Sequence, residues 1–286
     1  MGTSSSSVLC QNKSTCTIVS IEGNIGSGKT TGKGKLKHYV HFLNKQKDST
    51  IFVDEPTDEW ESIIDSNGVT ILVNLYSDIK RYAFRFQMMA YITRLKKIRD
   101  ALRNPKVKII ITERCLLTDA CVFAKMLYDS KHIEEDEYSI YTRWFHEFAQ
   151  EAEPSCLIYF KASTDVCMNR IKKRNRVGEK DMQYEYLNQC NTYHDNWLIT
   201  DPRNIIPVLV LNANEEDCDY SGHIHNYICE IRSSKIIGVM HHLKTYVNSS
   251  NNRIMNIHDF TLSNSGDETY SEMYYTDMYR PLYRTI

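Results

Sequence analysis

Thr17-Ile18-Val19-Ser20-Ile21-Glu22-Gly23-Asn24-Ile25-Gly26-Ser27-Gly28-Lys29-Thr30 decides the fold. Four of its first five residues are apolar or β-branched, the composition of a buried strand. From Gly23 onward the chain fits GxxxxGK[ST], a strand-to-helix turn whose backbone N–H groups point inward and whose helix adds a positive N-terminal end. The loop therefore predicts a phosphate cradle made by Gly23, Asn24, Ile25, Gly26, Ser27, Gly28, Lys29, Thr30 and Thr31. Lys29 would neutralise phosphate charge, and the Thr30 hydroxyl would face Mg²⁺, an ion that takes oxygen ligands and keeps several waters. Gly32 and Gly34 fall early in the expected helix. Each costs about 1 kcal/mol there relative to Ala, and the sequence offers no reason for either.

Working outward, four further strand-like runs follow: Ile51–Val53, Val107–Thr112, Cys156–Phe160 and Pro207–Leu211. Apolar strands separated by more than a dozen residues imply crossover connections, hence an α/β fold with a five-stranded parallel sheet flanked by helices on both faces. Residues 17–232 should form this domain. Residues 1–16, rich in Ser and Thr, read as a disordered leader. Residues 233–286 read as an extension whose tyrosines (Tyr270, Tyr274, Tyr275, Tyr279, Tyr283) suit a docking surface.

The 286 residues carry 35 basic and 36 acidic side chains, a formal charge of −1, which argues against a nucleic-acid coat or a polybasic membrane binder. No apolar run approaches the roughly 18 residues of a membrane span. Nine cysteines without a CxxC pair favour a reducing compartment, the cytoplasm first and the mitochondrion second.

A phosphate cradle does not say what is done with the phosphates. Glu55 closes the second strand, at the edge where α/β sheets bind ligands, placed to take a proton from an acceptor hydroxyl or to serve the metal ion. Glu113, followed by Arg114, ends the third strand and competes for the metal role. Phe84, Gln87, Met88, Tyr91 and Arg94 recur at helical spacing on one face. That stripe is either core or, since a buried amide and guanidinium need partners, the wall of a pocket. Arg170, Lys172, Lys173, Arg174 and Arg176 put five cations in seven residues just before Gly178. They form either a solvated face or a lid near 170–181 able to close over phosphates.

Glu55-Pro56 with Trp60, Phe86-Gln87, Glu113-Arg114-Cys115 and Gly-Asn-Ile-Gly-Ser-Gly-Lys-Thr together resemble the deoxyribonucleoside kinases, the group of deoxycytidine, deoxyguanosine and mitochondrial thymidine kinases and the insect multisubstrate enzyme. The likeness runs from about Thr17 to Asn214. It implies a P-loop kinase that moves the γ-phosphoryl of ATP, with Mg²⁺, to the 5′-hydroxyl of a deoxynucleoside, and a homodimer. It further implies that Glu55 is the general base, that Glu113 helps hold the metal, and that Arg114 binds near the transferred group. Gln87 would bond the base edge, with Phe86 and Phe123 packed on the base and Tyr76 and Glu179 at the sugar 3′-hydroxyl. Arg170, Arg174 and Arg176 would be the lid arginines. Arg94 and Asp119 match the charged pair of the deoxycytidine and deoxyguanosine kinases, so deoxycytidine or purine deoxynucleosides are expected over thymidine. Cys115 stands where a Ser is common, and Ala120-Cys121 replaces an Arg/Tyr pair. The alternatives are a thymidine-accepting or broad-specificity kinase, a nucleoside monophosphate kinase, which would need more cations near Tyr76 and Gln87, and a non-catalytic nucleotide-binding protein.

Overall fold

A computed structural model describes residues 16–43, 49–176, 178–179, 182–237, 244–247 and 254–256, with side chains through residue 233. The expected leader up to residue 15, the tail tyrosines, and Val177, Lys180 and Asp181 of the expected lid lie outside the described residues.

The strands are β1 (Thr17–Glu22), β2 (Thr50–Val53), β3 (Ile109–Glu113), β4 (Cys156–Lys161), β5 (Val208–Asn212), β6 (Lys244–Val247) and β7 (Ile254–Asn256). They form one sheet in the order β2-β3-β1-β4-β5-β6-β7. All five expected strands are present and mutually parallel. The sheet is wider than expected. β6 adds to β5 in parallel and β7 turns back antiparallel, both within the segment read as an appendage. Runs of four and three residues hold too little alternation to read as strands, and an edge strand is recruited by its backbone. Cys16, assigned above to the leader, is buried and belongs to the core.

The helices are α1 (Lys29–Leu43), α2 (Thr57–Ser62), α3 (Ile71–Ser77), α4 (Ile79–Leu102), α5 (Leu116–Thr118), α6 (Lys125–Asp129), α7 (Glu135–Phe148), α8 (Thr164–Arg174), α9 (Tyr184–Asp195) and α10 (Ser221–Ile237). A π-helical turn, Asp119–Ala124, joins α5 to α6. β1 is buried along its whole length, as a strand covered on both faces must be. Helix α1 packs on α10, and α4 on α7. Gly32 now has a reason: a Cβ there would lie 2.4 Å from Cζ of Phe160 on β4, so its absence lets α1 settle on the sheet. Nothing in the structure explains Gly34.

Because β1 lies between β3 and β4, the chain leaves it to one side and later crosses to the other. The carboxyl end of β1 is therefore a switch point, where such sheets bind ligands. Ile21 pairs with Glu113 in register, so the phosphate loop and the end of β3 emerge level with each other.

Candidate functional site

Gly23, Gly26 and Gly28 all take positive φ, which curls the loop inward over α1. Gly26 is further constrained, since a Cβ would meet the Cys167 carbonyl of α8 at 2.6 Å. Asn24 does not line the cavity. It is buried and donates to the Leu187 carbonyl of α9 at 2.9 Å while accepting from Ile25 N–H at 2.9 Å, so it anchors the loop to the helices behind it. Lys29 Nζ donates to the Asn24 carbonyl at 2.6 Å. Burial, aided by Arg114, brings its ammonium down to about 8 against the pull of Glu113 and Glu55.

Thr30 Oγ1 donates to Glu113 Oε1 at 2.8 Å. A hydroxyl and a carboxylate beside a phosphate loop are the oxygen donors that Mg²⁺ takes, with phosphate oxygens and waters completing the shell. No group of three or more acidic, His or Cys side chains suited to a metal exists among the described residues, which is the ordinary case for this ion. Lys33 was not anticipated. It bonds Glu113 Oε2 at 2.6 Å and Asp54 Oδ1 at 2.8 Å.

Glu55, at 17% side-chain exposure, opens onto the cavity from the end of β2, and its Oε1 accepts from Arg114 Nη1 at 2.5 Å. Burial alone would raise this carboxyl. Arg114, then Arg94 and Lys29, overcome that and hold it at about 2. Arg114 itself sits at φ 62°, a costly backbone for a non-glycine residue. There it also donates to the Gly23 carbonyl and lies over the Phe123 ring. Beneath it Glu22, fully buried, accepts from Ser20, Thr118 and Cys115; burial pushes its carboxyl up against those three bonds.

Arg94 crosses the floor of the site. Its Nε and Nη2 donate to Asp119 at 2.9 and 3.3 Å, and Nη1 to the Glu113 carbonyl at 2.8 Å. Burial works against its charge, but Asp119 and Glu55 hold it above the usual range. Asp119 opens the π-helical turn, a distortion often found at functional sites.

The far wall combines Trp60, Phe86 and Ala90 with Leu72 and Leu75 in a small cluster of their own, Trp60 and Phe86 meeting edge to face. Gln87 is buried beside them, and its Oε1 has no hydrogen-bond partner. The expected single face of α4 divides. Helical steps of about 100° put Phe86, Ala90, Arg94 and Gln87 on one arc, which lines the cavity, and Tyr91, Phe84 and Met88 on the next. That second arc packs into the core, where the Tyr91 hydroxyl bonds the Trp144 carbonyl. Tyr76 stands over Tyr186 edge to face, and its hydroxyl is raised by burial and by Glu179.

Of the three arginines expected in a lid, Arg170 is held by backbone carbonyls of Ser27, Ala213, Asn214 and Glu215. It links the phosphate loop to the segment after β5. Arg174 pairs with Glu179, and Arg176 with Glu61. All three line the cavity, together with the expected Phe123, Glu179 and Trp60 and the loop from Ile25 to Thr31.

These groups line a cavity of about 880 Å³, toward the upper end of the range of small-molecule sites. Gly23 and Asn24 are the expected residues that stand behind it. Lys33, Asp54 and Tyr186 are lining residues that the sequence reading missed. Lys33 could have been found, since it sits three and four residues after Thr30 and Lys29 on the same helix face.

The description "deoxynucleoside kinase" belongs to the family model that matches residues 19–234. A probable deoxycytidine kinase of fowlpox virus is 32% identical over 225 residues, covering 74% of this chain and 88% of its own. Deoxycytidine kinase 2 of Gallus gallus is 32% identical, with 69% and 82% covered. The mitochondrial deoxyguanosine kinase of Xenopus laevis is 29% identical over 223 residues, with the same coverage. The chain belongs to the deoxynucleoside kinase family, phosphotransferases that act on a hydroxyl group.

Proposed function

We propose that this chain transfers the γ-phosphoryl of ATP to the 5′-hydroxyl of a deoxynucleoside, and prefers deoxycytidine and purine deoxynucleosides to thymidine. One observation carries the reading. Glu55 faces the cavity between the phosphate loop and Gln87, while both nearby guanidiniums are already committed, Arg94 to Asp119 and Arg114 to Glu55. A neutral sugar alcohol suits such a site better than an acceptor phosphate.

Loop amides and Lys29 grip the triphosphate. Thr30 and Glu113 would hold Mg²⁺, which would supply neutralisation of phosphate charge. As the hydroxyl oxygen bonds to phosphorus and the bond to ADP breaks, its proton passes to Glu55. Because phosphoryl transfer has a loose transition state, that proton leaves late and a carboxylate held near 2 suffices. Arg114 spans carboxylate and loop, where charge develops. Gln87 offers its free carbonyl oxygen and its amide to a base edge stacked by Phe86 and Phe123. Tyr76 and Glu179 receive the 3′-hydroxyl, and the buried Arg94–Asp119 pair disfavours a thymine methyl.

The test is a kinase assay with four deoxynucleosides and their monophosphates. Glu55→Gln should lower kcat by about 10²–10⁴-fold, the range of general-base catalysis, with ATP affinity kept. Preferential turnover of monophosphates refutes the acceptor assignment.

The homodimer fits the outer face of α4 and α7, where Ile92, Ile140 and Trp144 are 51%, 45% and 47% exposed. Sedimentation should show a dimer for the wild type and a monomer for Trp144→Glu. Cys115, Cys121, Cys167, Cys190, Cys218 and Cys229 carry free thiols, which supports the reducing cytoplasm as the compartment.

A further inference from the structure

Two lysines among the described residues are buried, Lys29 and Lys33. The first faces the phosphate loop. The second, one turn further along α1, points the same way but ends between two acids from adjacent strands. Its Nζ lies 2.6 Å from Glu113 Oε2 and 2.8 Å from Asp54 Oδ1. The lysine side chain is 5% exposed and that of Asp54 78%, so it is the cation that the fold encloses.

Glu113 is thereby divided. One oxygen takes the Thr30 hydroxyl, and the other takes the ammonium. Two carboxylates converging on one point from neighbouring strand ends, beside a nucleotide site, is how two-metal phosphoryl-transfer centres seat an ion. Here a side-chain ammonium holds that point.

We propose that Lys33 is a resident cation filling the position of a second divalent ion between Asp54 and Glu113, and that it confines the site to one exchangeable metal ion. The inference rests on the reading that Thr30 and Glu113 hold the ion bound with ATP. Lys33 acts through Glu113 and is a positioning residue. With the ammonium gone, Asp54 and Glu113 share an incoming divalent ion in its stead.

The test counts Mn²⁺ by electron paramagnetic resonance and equilibrium dialysis, on full-length protein with a non-hydrolysable ATP analogue. The wild type and Lys33→Arg should bind one Mn²⁺ per chain, and Lys33→Met and Lys33→Gln two. Adding Asp54→Asn to Lys33→Gln should return the count to one. Without nucleotide, Lys33→Gln should bind Mn²⁺ at least about tenfold more tightly than the wild type, as expected when a positive charge leaves a shared carboxylate site. A count of one in both uncharged variants overturns the proposal. Lys33→Gln is close in length and can still bond both acids, so it carries the test if Lys33→Met does not fold. Misfolding of both, with Lys33→Arg folded, would make the ammonium a structural pin and also overturn it. Glu113→Gln separates the two readings. If that variant keeps the nucleotide-bound Mn²⁺, the metal assignment fails; if it loses the ion while the Lys33 variants stay at one, only the resident-cation proposal fails.

Discussion

Removing Asp119 alone should harm the protein more than removing Asp119 and Arg94 together. Both side chains are almost fully enclosed, at 2% and 3% exposure, and are joined by two hydrogen bonds. Asp119→Ala strands a guanidinium that keeps only the Glu113 carbonyl and a 3.6 Å approach to Glu55. An uncompensated buried charge of this kind costs about 3–5 kcal/mol. Exchanging the pair for Arg94→Met with Asp119→Ala removes both charges, and apolar replacement of a buried pair is often neutral. What remains is the Glu113 carbonyl without its donor, about 1–3 kcal/mol. The double variant should therefore unfold at higher urea than Asp119→Ala, followed by circular dichroism. The same exchange removes two polar groups that line the cavity, so on the proposed function kcat/KM for thymidine relative to deoxycytidine should rise about tenfold or more, equivalent to 1.4 kcal/mol. Additive destabilisation would refute the stranded-charge argument. An unchanged base ranking would refute the pair's part in selectivity.

The two glycines of α1 should behave oppositely. Gly32→Ala drives a methyl into the buried Phe160 ring and should cost about 1–3 kcal/mol, whereas Gly34→Ala, with nothing within 4 Å, should stabilise by about 0.5–1 kcal/mol in thermal melts. ATP binding should take up a proton in mildly alkaline solution. Lys29 sits at about 8 before the phosphates arrive and is held protonated by them afterwards, so uptake is about half a proton near pH 8, grows above it, and vanishes near pH 6. Calorimetry in buffers of differing ionisation enthalpy reads this directly, and Lys29→Met should abolish it.

What could be read before folding was what is written locally. The phosphate loop, the apolar strands and the strand-end acids Glu55 and Glu113 each lie within a few residues of the feature that identifies them. Gln87 and Arg94 stood out because polar groups interrupted an apolar stripe, yet the stripe itself was misassigned, since α4 is enclosed on more than one side and period alone does not say which arc meets a cavity. Asp54 and Glu22 were missed because the groups they meet, Lys33 of α1 and Thr118 of α5, are brought to them only by the packing of helices on the sheet. Asn24 looked like a ligand group, and only the position of α9 shows it to be an anchor. β6 and β7 were hidden by their brevity.

Arg114 places one guanidinium against the carboxylate of residue 55 and the carbonyl of residue 23 at once. Two sides of the cavity, built on separate strands, thus share a hinge pin. Any drift in how the loop sits is felt at the end of β2, and a lineage that reshaped one side of the cavity could not do so without also adjusting the other.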